Sequence, residues 1–368
     1  MVLISPMRSD GVAAQLNVLC MSMATAFPWI LTNSLLAWAA YVLIIRIGLR
    51  SLSGCLSFFI VVFGSYFYLQ CVICYVMIVR NGAVGPPRTL VADPNQELDL
   101  ESGGLLPPNA PSSLGILTKD NGQKRFCSKC KIWKPDRTHH CSTCGRCVLR
   151  MDHHCPWFST CIGFANYKVF ILFLGYVVLF CVVCFVGSGV VLLDYIETID
   201  ESGDLISLNL AFLFILSIVF GIAVTIFFSL QLYLLFSNKT TIEAMETQRY
   251  RSNIAANAYR YSTPPSSKSV GNVFDLGLKQ NFVQMMGSNP LLWFFPVVNS
   301  RGNGTTFPVN ITVLTAIKRQ ADQESQMLNN LHATLSRNSL SSNRSSNVIT
   351  SSAEDEYNGR VSVEFRPS

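Results

Sequence analysis

Four long apolar segments constrain the fold of this chain more than any other feature of its sequence. They lie near Phe27–Ile45, Cys55–Val79, Val169–Leu193 and Leu210–Phe236. A helix needs about 20 apolar residues to cross a bilayer, where every backbone polar group must be paired within the helix. The sequence therefore predicts an α-helical integral membrane protein with four transmembrane helices. The first segment is the least regular, because Pro28 and Asn33 interrupt it.

The loops between these segments differ in charge. The loop after the third segment carries acidic residues and neither Lys nor Arg, whereas the long loop after the second is rich in basic residues. These basic residues are Arg88, Lys119, Lys124, Arg125, Lys129, Lys131, Lys134, Arg137, Arg146, Arg150 and Lys168. Lys and Arg mark the cytoplasmic side, so the long loop and both termini are predicted to be cytosolic. Arg46 and Arg50 weaken this assignment, since they fall in the first non-cytosolic loop.

The stretch from Cys127 to Cys161 holds seven of the thirteen cysteines and four of the five histidines. Cytosolic thiols stay reduced, so this cluster indicates metal binding or thiol catalysis rather than disulfides. Paired C-x2-C motifs with nearby histidines are typical of zinc sites. Two tetrahedral sites would use eight of the eleven candidate ligands and leave three over. Whether the three have a catalytic or a structural role stays open at this point.

The chain divides into seven parts. These are a cytosolic N-terminus (1–26), transmembrane helices 1–2 (27–79), a Pro/Gly-rich linker (80–118), a cysteine-rich zinc domain (119–168), transmembrane helices 3–4 (169–236), a cytosolic C-terminal region (237–319) and a Ser-rich tail (320–368). The tail is expected to be disordered, because its composition cannot bury a core. No pattern of aromatic residues among basic ones indicates a nucleic-acid partner, and the net charge of +6 suits an anionic membrane face or cofactor.

The run Cys127–Asn166 (CSKCKIWKPDRTHHCSTCGRCVLRMDHHCPWFSTCIGFAN) resembles the cysteine-rich domain of the DHHC-type protein S-acyltransferases, or palmitoyltransferases. The four spans, the place of the domain between spans two and three, and Thr240-Thr241-x-Glu243 after span four agree with that family. The resemblance implies long-chain acyl-CoA as co-substrate and protein substrates with membrane-proximal cysteines. The sequence pattern KPDR…HHC is similar to that of a fungal vacuolar member of the family. This similarity favours an endomembrane location, in the vacuole membrane or Golgi.

The resemblance also implies two structural zinc sites. One would use Cys127, Cys130, His140 and Cys147, and the other Cys141, Cys144, His154 and Cys161. His139, His153 and Cys155 then remain free, and Cys155 is the nucleophile in the family pattern.

The chemistry of the residues supports this role. A free thiol has a pKa of about 8.5, and a neighbouring imidazole can take its proton or stabilise the thiolate. His153 lies two residues before Cys155, and Asp152 can orient the imidazole. The metals are expected to place the nucleophile without activating it directly.

Other residues receive roles through the resemblance. Arg125, Lys134, Arg137 and His139 are candidates to bind the phosphates of acyl-CoA, although each could equally face anionic lipid. Phe180 is expected near the closed end of an acyl tunnel, with ordinary packing as the alternative.

Thr240, Thr241 and Glu243 are expected to support Asp152, while [ST]-x-x-E also predicts a helix cap. Asn281 with the following Phe resembles an Asn-aromatic motif that packs the C-terminal region against the spans.

The sequence thus predicts a protein S-palmitoyltransferase with a two-step ping-pong mechanism through a Cys155 thioester. The alternative is a membrane-anchored zinc adaptor module without catalysis. A channel or transporter is disfavoured, because the apolar segments are almost free of ionisable residues.

Overall fold

The computed structural model describes residues 12–87, 115–120, 124–202, 207–250 and 264–358. Its described α-helices are α1 (Val12–Ala40), α2 (Gly54–Asn81), α3 (Tyr167–Ser202), α4 (Leu208–Phe236), α5 (Thr241–Met245), α6 (Ser267–Val270), α7 (Leu278–Met286) and α8 (Ile311–Asn358). Four helical stretches are long and apolar enough to cross a membrane: Ala26–Ser51, Gly54–Asn81, Tyr167–Thr198 and Leu208–Phe236. The predicted helical membrane class is confirmed.

Two helices run past the ends that the sequence predicts. α1 continues directly as a π-helix over Tyr41–Ser51, so only two residues separate it from α2. Arg46 and Arg50, predicted to lie in a loop, are therefore helical, because Leu43 and Ile47 of the same segment are buried and extend the helix. α3 continues to Ser202, past the predicted end at Leu193, since helices extend beyond the hydrocarbon into the polar interface.

α3 is the central transmembrane helix. Within the most apolar window of each span, 56% of α3 is buried, against 17–22% of the other three. Aromatic rings bind α3 to the segment that follows Cys155: Phe158 lies 5.1 Å from Phe173 and 5.0 Å from Tyr75 of α2. The Tyr75 hydroxyl also donates to the Trp157 carbonyl at 2.7 Å. The 3₁₀ turn Pro156–Phe158 is thus fixed on the membrane helices.

The strands of the described residues are all short, and most of them lie in the cysteine-rich domain. They are β1 (Leu117–Thr118), β2 (Phe126–Cys127), β3 (Ile132–Trp133), β4 (His139–Cys141), β5 (Arg146–Val148), β6 (His153–Cys155), β7 (Thr160–Ile162) and, after α5, β8 (Arg249–Tyr250). The antiparallel pairs are β2–β3, β4–β5, β6–β7 and β1–β8. Two-stranded ladders are marginally stable alone, so this domain needs another source of stability.

The C-terminal region packs against the cysteine-rich domain and α4. Tyr250, Val273, Phe274 and Ile317 form a buried cluster beneath the start of α8. The tail predicted to be disordered from residue 320 lies within α8 as far as Asn358. Residues 311–358 contain neither Gly nor Pro, so nothing in this polar sequence breaks a helix. The linker predicted over 80–118 falls mostly outside the described residues.

Candidate active site

The first Cys/His group is built by two ladders. The β2–β3 turn presents the C-x2-C pair, in which the Cys127 sulfur accepts the backbone N–H of Cys130 at 3.4 Å. In the second ladder, His140 on β4 stands opposite Cys147 on β5. The three sulfurs of Cys127, Cys130 and Cys147 lie 3.6, 3.3 and 3.9 Å from His140 Nδ1.

The second group follows the same plan one ladder later. Cys141 and Cys144 form the C-x2-C pair, and His154 on β6 stands opposite Cys161 on β7. The sulfurs of Cys141, Cys144 and Cys161 lie 3.7, 3.4 and 3.7 Å from His154 Nδ1. His140 and Cys141 are neighbours on β4, so the two groups share one strand.

Both groups fit zinc. A tetrahedral Zn²⁺ with Zn–S near 2.3 Å and Zn–N near 2.0 Å separates a sulfur from a nitrogen by roughly 3.5 Å. The four ligand atoms of each group lie within 4.8 Å of one another, and the sulfur-to-nitrogen distances bracket that value. The ligand sets are the two that the sequence predicts. Metal binding contributes about 10–16 kcal/mol of folding free energy per site, which stabilises a domain whose short ladders are marginally stable alone.

Cys155 stands outside both groups. It is buried at the end of β6, immediately after the ligand His154 and opposite Thr160. His153 Nδ1 donates to Asp152 Oδ2 at 2.7 Å, which leaves Nε2 as the ring atom available to the thiol. Burial alone would lower the pKa of His153, but the hydrogen bond from its ring to Asp152 and its interaction with Cys155 raise that pKa to about 9. The imidazole is therefore mostly protonated at neutral pH, and a cation of this kind beside a thiol favours the thiolate form.

Asp152 is fully buried and accepts three hydrogen bonds. Besides His153, the Thr241 backbone N–H donates to Oδ1 at 2.9 Å and the Thr241 hydroxyl donates to Oδ2 at 2.8 Å. Burial would raise the pKa of Asp152, yet its hydrogen bonds with His153 and Thr241 lower it. The carboxylate is thus ionised and fixed in orientation beneath the imidazole.

α5 is held by a buried ion pair. Thr240 and Glu243 form a capping box, with the Thr240 hydroxyl accepting the Glu243 N–H and the Glu243 carboxylate accepting the Thr240 N–H at 2.9 Å. Glu243 also accepts hydrogen bonds from Arg137 at 2.7 and 2.8 Å. Burial would raise the pKa of Glu243, but the Arg137 charge lowers it. The helix cap is therefore present, and Thr241 of the same turn contacts Asp152.

Arg137 corrects one prediction. It was expected to contact acyl-CoA phosphates, but its side chain is fully buried. Its guanidinium donates to Glu243 and, at 2.9 Å in both cases, to the side-chain oxygen and the backbone carbonyl of Asn238. The guanidinium also stacks on the Phe274 ring, 4.8 Å from its centroid. It is therefore an internal cross-link between the cysteine-rich domain and α5, and no phosphate can reach it.

Arg125 and His139 border a polar cavity of about 850 Å³ between the cysteine-rich domain and the segment after α5. Arg125 Nη2 donates to the Thr138 carbonyl at 2.7 Å and lies 3.3 Å from His139 Nε2. Burial and then the Arg125 charge lower the pKa of His139 to about 3, so its ring is neutral. Lys134 is half-buried and does not line this cavity.

A second, apolar cavity of about 370 Å³ lies between α1, α3 and α4. Cys155 and Trp157 border it, and its lining on α3 runs from Phe170 through Phe180 to Cys184. At 1.5 Å per residue this lining is roughly 20 Å long. Phe180 is buried in it and packs 6.3 Å from Tyr68. The unliganded thiol therefore opens directly onto an apolar space inside the helix bundle.

Comparison with known proteins agrees with this geometry. A family model described as "DHHC palmitoyltransferase" matches residues 120–248. Palmitoyltransferase PFA3 of Yarrowia lipolytica is 42% identical over 276 residues, covering 70% of this chain and 69% of its own. Palmitoyltransferase PFA3 of Candida albicans is 34% identical over 371 residues, covering 93% and 98%. The chain belongs to the DHHC palmitoyltransferase family. Palmitoyltransferase ZDHHC15 of Xenopus laevis is also similar, 37% identical over 52% of each chain.

The C-terminal segment of this DHHC protein is tied to the end of α4. The Asn281 side chain on α7 donates to the Phe236 carbonyl and to Asp275, each at 2.7 Å, and accepts the Leu276 N–H at 2.9 Å. The ring of Phe282 stacks 5.6 Å from that of Phe236. Asn281 thus lies where it holds the chain that leaves the membrane.

Two residues near the site were not singled out from the sequence. Asn238 joins Arg137 to the C-terminal region, donating to the Phe274 carbonyl and to Gln284 at 2.7 Å each. Gln231 on α4 is fully buried and donates to the Thr241 hydroxyl at 3.3 Å. The signal for Gln231 was present, because an uncharged polar side chain inside an apolar span needs a partner within the protein.

Proposed function

We propose that this DHHC protein transfers long-chain acyl groups, palmitate above all, from acyl-CoA to cysteine thiols of membrane-proximal proteins. The observation that carries the proposal is the position of Cys155. It is free of both Cys3His groups, lies beside the His153–Asp152 pair and lines the apolar cavity. A zinc adaptor module without catalysis would need neither the free thiol nor the cavity.

The first step forms the acyl-enzyme. Cys155 gives its proton to His153 Nε2, and the thiolate attacks the thioester carbonyl of acyl-CoA. The carbon–sulfur bond to CoA then breaks, and CoA leaves as a thiol after receiving the proton from His153. Asp152 stabilises the imidazolium that exists between these two proton transfers.

The second step transfers the acyl group to the protein substrate. The acceptor cysteine gives its proton to His153 and attacks the Cys155 thioester. The acyl–Cys155 bond breaks, and the Cys155 sulfur takes the proton back from His153, which restores the thiol. One thioester replaces another in each step, so positioning and thiol activation are the main tasks of the protein. Zinc would be held by the two Cys3His groups, where it supplies the rigidity that keeps Cys155 in place.

The apolar cavity suits the acyl chain. Each buried methylene contributes about 0.8 kcal/mol, so a long chain gains much from leaving water. The polar cavity beside Arg125 and His139 suits the nucleotide end of CoA, with Arg125 as cation and neutral His139 as hydrogen-bond donor or acceptor. Lys134 does not line this cavity and stays a candidate on the family resemblance alone.

The test of the proposed function uses the full-length protein purified in detergent with zinc bound. Incubation with radiolabelled palmitoyl-CoA is expected to give a labelled protein band that neutral hydroxylamine removes, which identifies a thioester. A peptide bearing a cysteine and a lipid anchor should then take up the label. Failure of the zinc-loaded protein to form the band would favour the adaptor module.

Phe180→Ala is expected to shift the preferred acyl chain to longer lengths. Removing the ring opens space in the cavity about one helical turn before Cys184, and each extra methylene then adds up to about 0.8 kcal/mol, or about fourfold in selectivity. Competition between acyl-CoAs of different chain length measures the shift. Leu230→Ala on the exposed face of α4 is the matched control. An unchanged chain-length profile would assign Phe180 to packing alone.

Arg125→Ala is expected to raise the KM for palmitoyl-CoA roughly tenfold, with a smaller change in kcat, because charge-assisted hydrogen bonds to a phosphate stabilise the bound state. Initial rates of acyl-enzyme formation measure both constants. Lys129→Ala removes an exposed cation of the same domain and should leave the KM unchanged. Equal effects of the two variants would point to a general attraction between basic residues and lipid.

We further propose that the cysteine-rich domain and both termini face the cytosol, and that the protein resides in an endomembrane, the vacuole membrane or Golgi. The basic character of the loop between α2 and α3 supports this orientation. Protease protection of tagged termini in sealed vesicles tests the orientation, and fluorescence microscopy of a tagged protein tests the location.

A further inference from the structure

Gln231 lies at the inner end of a chain of hydrogen bonds that leads to the catalytic cysteine. Its side-chain N–H donates to the Thr241 hydroxyl at 3.3 Å, and that hydroxyl donates to Asp152 at 2.8 Å. Asp152 in turn accepts from His153, which lies two residues before Cys155 on β6. Gln231 itself is fully buried in α4, and no charged side chain is hydrogen-bonded to it among the described residues.

The direction of these bonds follows from the chemistry of the groups. Asp152 accepts the Thr241 backbone N–H at Oδ1 and pairs with the His153 ring at Oδ2, so the carboxyl serves as the acceptor and the Thr241 hydroxyl supplies the hydrogen in its contact with Asp152. The Thr241 oxygen then has its lone pairs free, and only a donor can satisfy them. Gln231 presents such a donor from the neighbouring helix.

The orientation of the Gln231 amide is itself fixed. The hydroxyl of Tyr167, at the start of α3, lies 3.4 Å from both the Gln231 side-chain oxygen and its backbone carbonyl. A donor at the amide oxygen assigns the nitrogen to the side of Thr241. The buried guanidinium of Arg150 lies over the Tyr167 ring at 4.8 Å and has no hydrogen-bond acceptor among the described residues. This contact packs the guanidinium against a face of the Tyr167 ring.

We infer that Gln231 is a positioning residue for acyl transfer, which orients the Thr241 hydroxyl toward Asp152 and so links the transmembrane bundle to the catalytic histidine. The inference rests on the proposed function of Cys155 as nucleophile. In a chain of groups that each donate and accept, the hydrogen bonds strengthen one another. Loss of the Gln231 donor therefore weakens the bond from Thr241 to Asp152. Tyr167 and Gln231 belong to α3 and α4, the helices that also line the apolar cavity.

The test is a double-mutant cycle in the full-length, zinc-loaded protein. Gln231→Met keeps the length of the side chain and removes the donor, while Thr241→Val keeps the shape and removes the hydroxyl. Gln231→Met should lower kcat for acyl-enzyme formation roughly tenfold and leave the KM for palmitoyl-CoA within about twofold. Because Gln231 acts through the Thr241 hydroxyl, the double variant should be no slower than Thr241→Val alone.

Ser229→Ala is the matched control. Ser229 lies two residues away on the exposed face of α4, and within the described part of the chain its hydroxyl donates only to the Thr225 carbonyl of the same helix. If the losses in kcat of the two single variants multiply in the double variant, Gln231 acts through packing and the inference is overturned. A kcat for Gln231→Met equal to that of wild type would also overturn it. Tyr167→Phe, which frees the amide to turn, should give a smaller loss in kcat that disappears in the Gln231→Met background.

A second readout separates this inference from the proposed function. The rate of Cys155 alkylation by iodoacetamide at a fixed pH, followed by mass spectrometry of the Cys155 peptide, requires no acyl-CoA. It should fall in Gln231→Met and Tyr167→Phe and stay unchanged in Ser229→Ala. A protein that forms no acyl-enzyme but shows this pattern would contradict the proposed function alone. An alkylation rate unchanged in Gln231→Met would contradict the inference alone.

Discussion

Replacing Cys155 by serine is expected to lower acyl-enzyme formation by about 10³-fold or more, while the protein keeps two zinc ions. The hydroxyl of serine is a much poorer nucleophile than a thiolate, and His153 cannot compensate for that difference. The metal stays because Cys155 belongs to neither Cys3His group. Labelling with radioactive palmitoyl-CoA and zinc analysis by mass spectrometry on one preparation measure both quantities.

Two further variants make this result specific. Cys161→Ser removes a ligand of the second group and should lose both zinc and labelling, because the ladder β6–β7 that carries Cys155 then loses its metal. Cys55→Ser changes an exposed cysteine at the start of α2 and should alter neither. Labelling that persists in Cys155→Ser would place the acyl group on another residue, and loss of its zinc would give Cys155 a structural role.

Arg137→Met is expected to destabilise the protein by about 3–5 kcal/mol, since breaking a buried ion pair leaves an unpaired buried charge. Here the stranded group is the Glu243 carboxylate, which is also part of the capping box of α5. Acyl-enzyme formation should fall as well, because Thr241 of the same turn orients Asp152. Unfolding in mixed micelles with increasing denaturing detergent measures the change in free energy.

The control for this variant is a surface pair. Arg249→Ala removes the partner of Asp120, whose side chain is 92% exposed, and should cost less than about 1 kcal/mol. Similar losses for the two variants would contradict a structural role for the buried pair. If Arg137→Met has normal stability and a raised KM for palmitoyl-CoA, Arg137 binds acyl-CoA after all.

The sequence predicted the local features of the site well. Zinc ligands recur at fixed short spacings, so the resemblance assigned both sets, and the geometry agrees with them. The four membrane helices were evident because length and apolar composition nearly define a span. The C-terminal ends of α1 and α3 were not evident from the sequence, since burial and the membrane interface decide where a helix ends.

Long-range partners could not be read from the sequence. Arg137 looked like a phosphate ligand because its partner, Glu243, lies 106 residues later in the chain. The same limit hid Gln231, whose contact with Thr241 depends on the turn between α4 and α5. The tail from residue 320 was predicted to be disordered because its composition cannot bury a core, and a composition of this kind does not report on local helix such as α8.

The order in which the catalytic parts are synthesised has a consequence for biogenesis. Cys155 and His153 are translated before α3, whereas Thr241, which orients Asp152, follows α4. A nascent chain that has inserted only its first two or three spans therefore has the nucleophile but not the group that aligns its base. With the roles proposed for Cys155 and Thr241, the active site is complete only after α4 and α5 have been synthesised, so acyl-enzyme formation is expected only from that point.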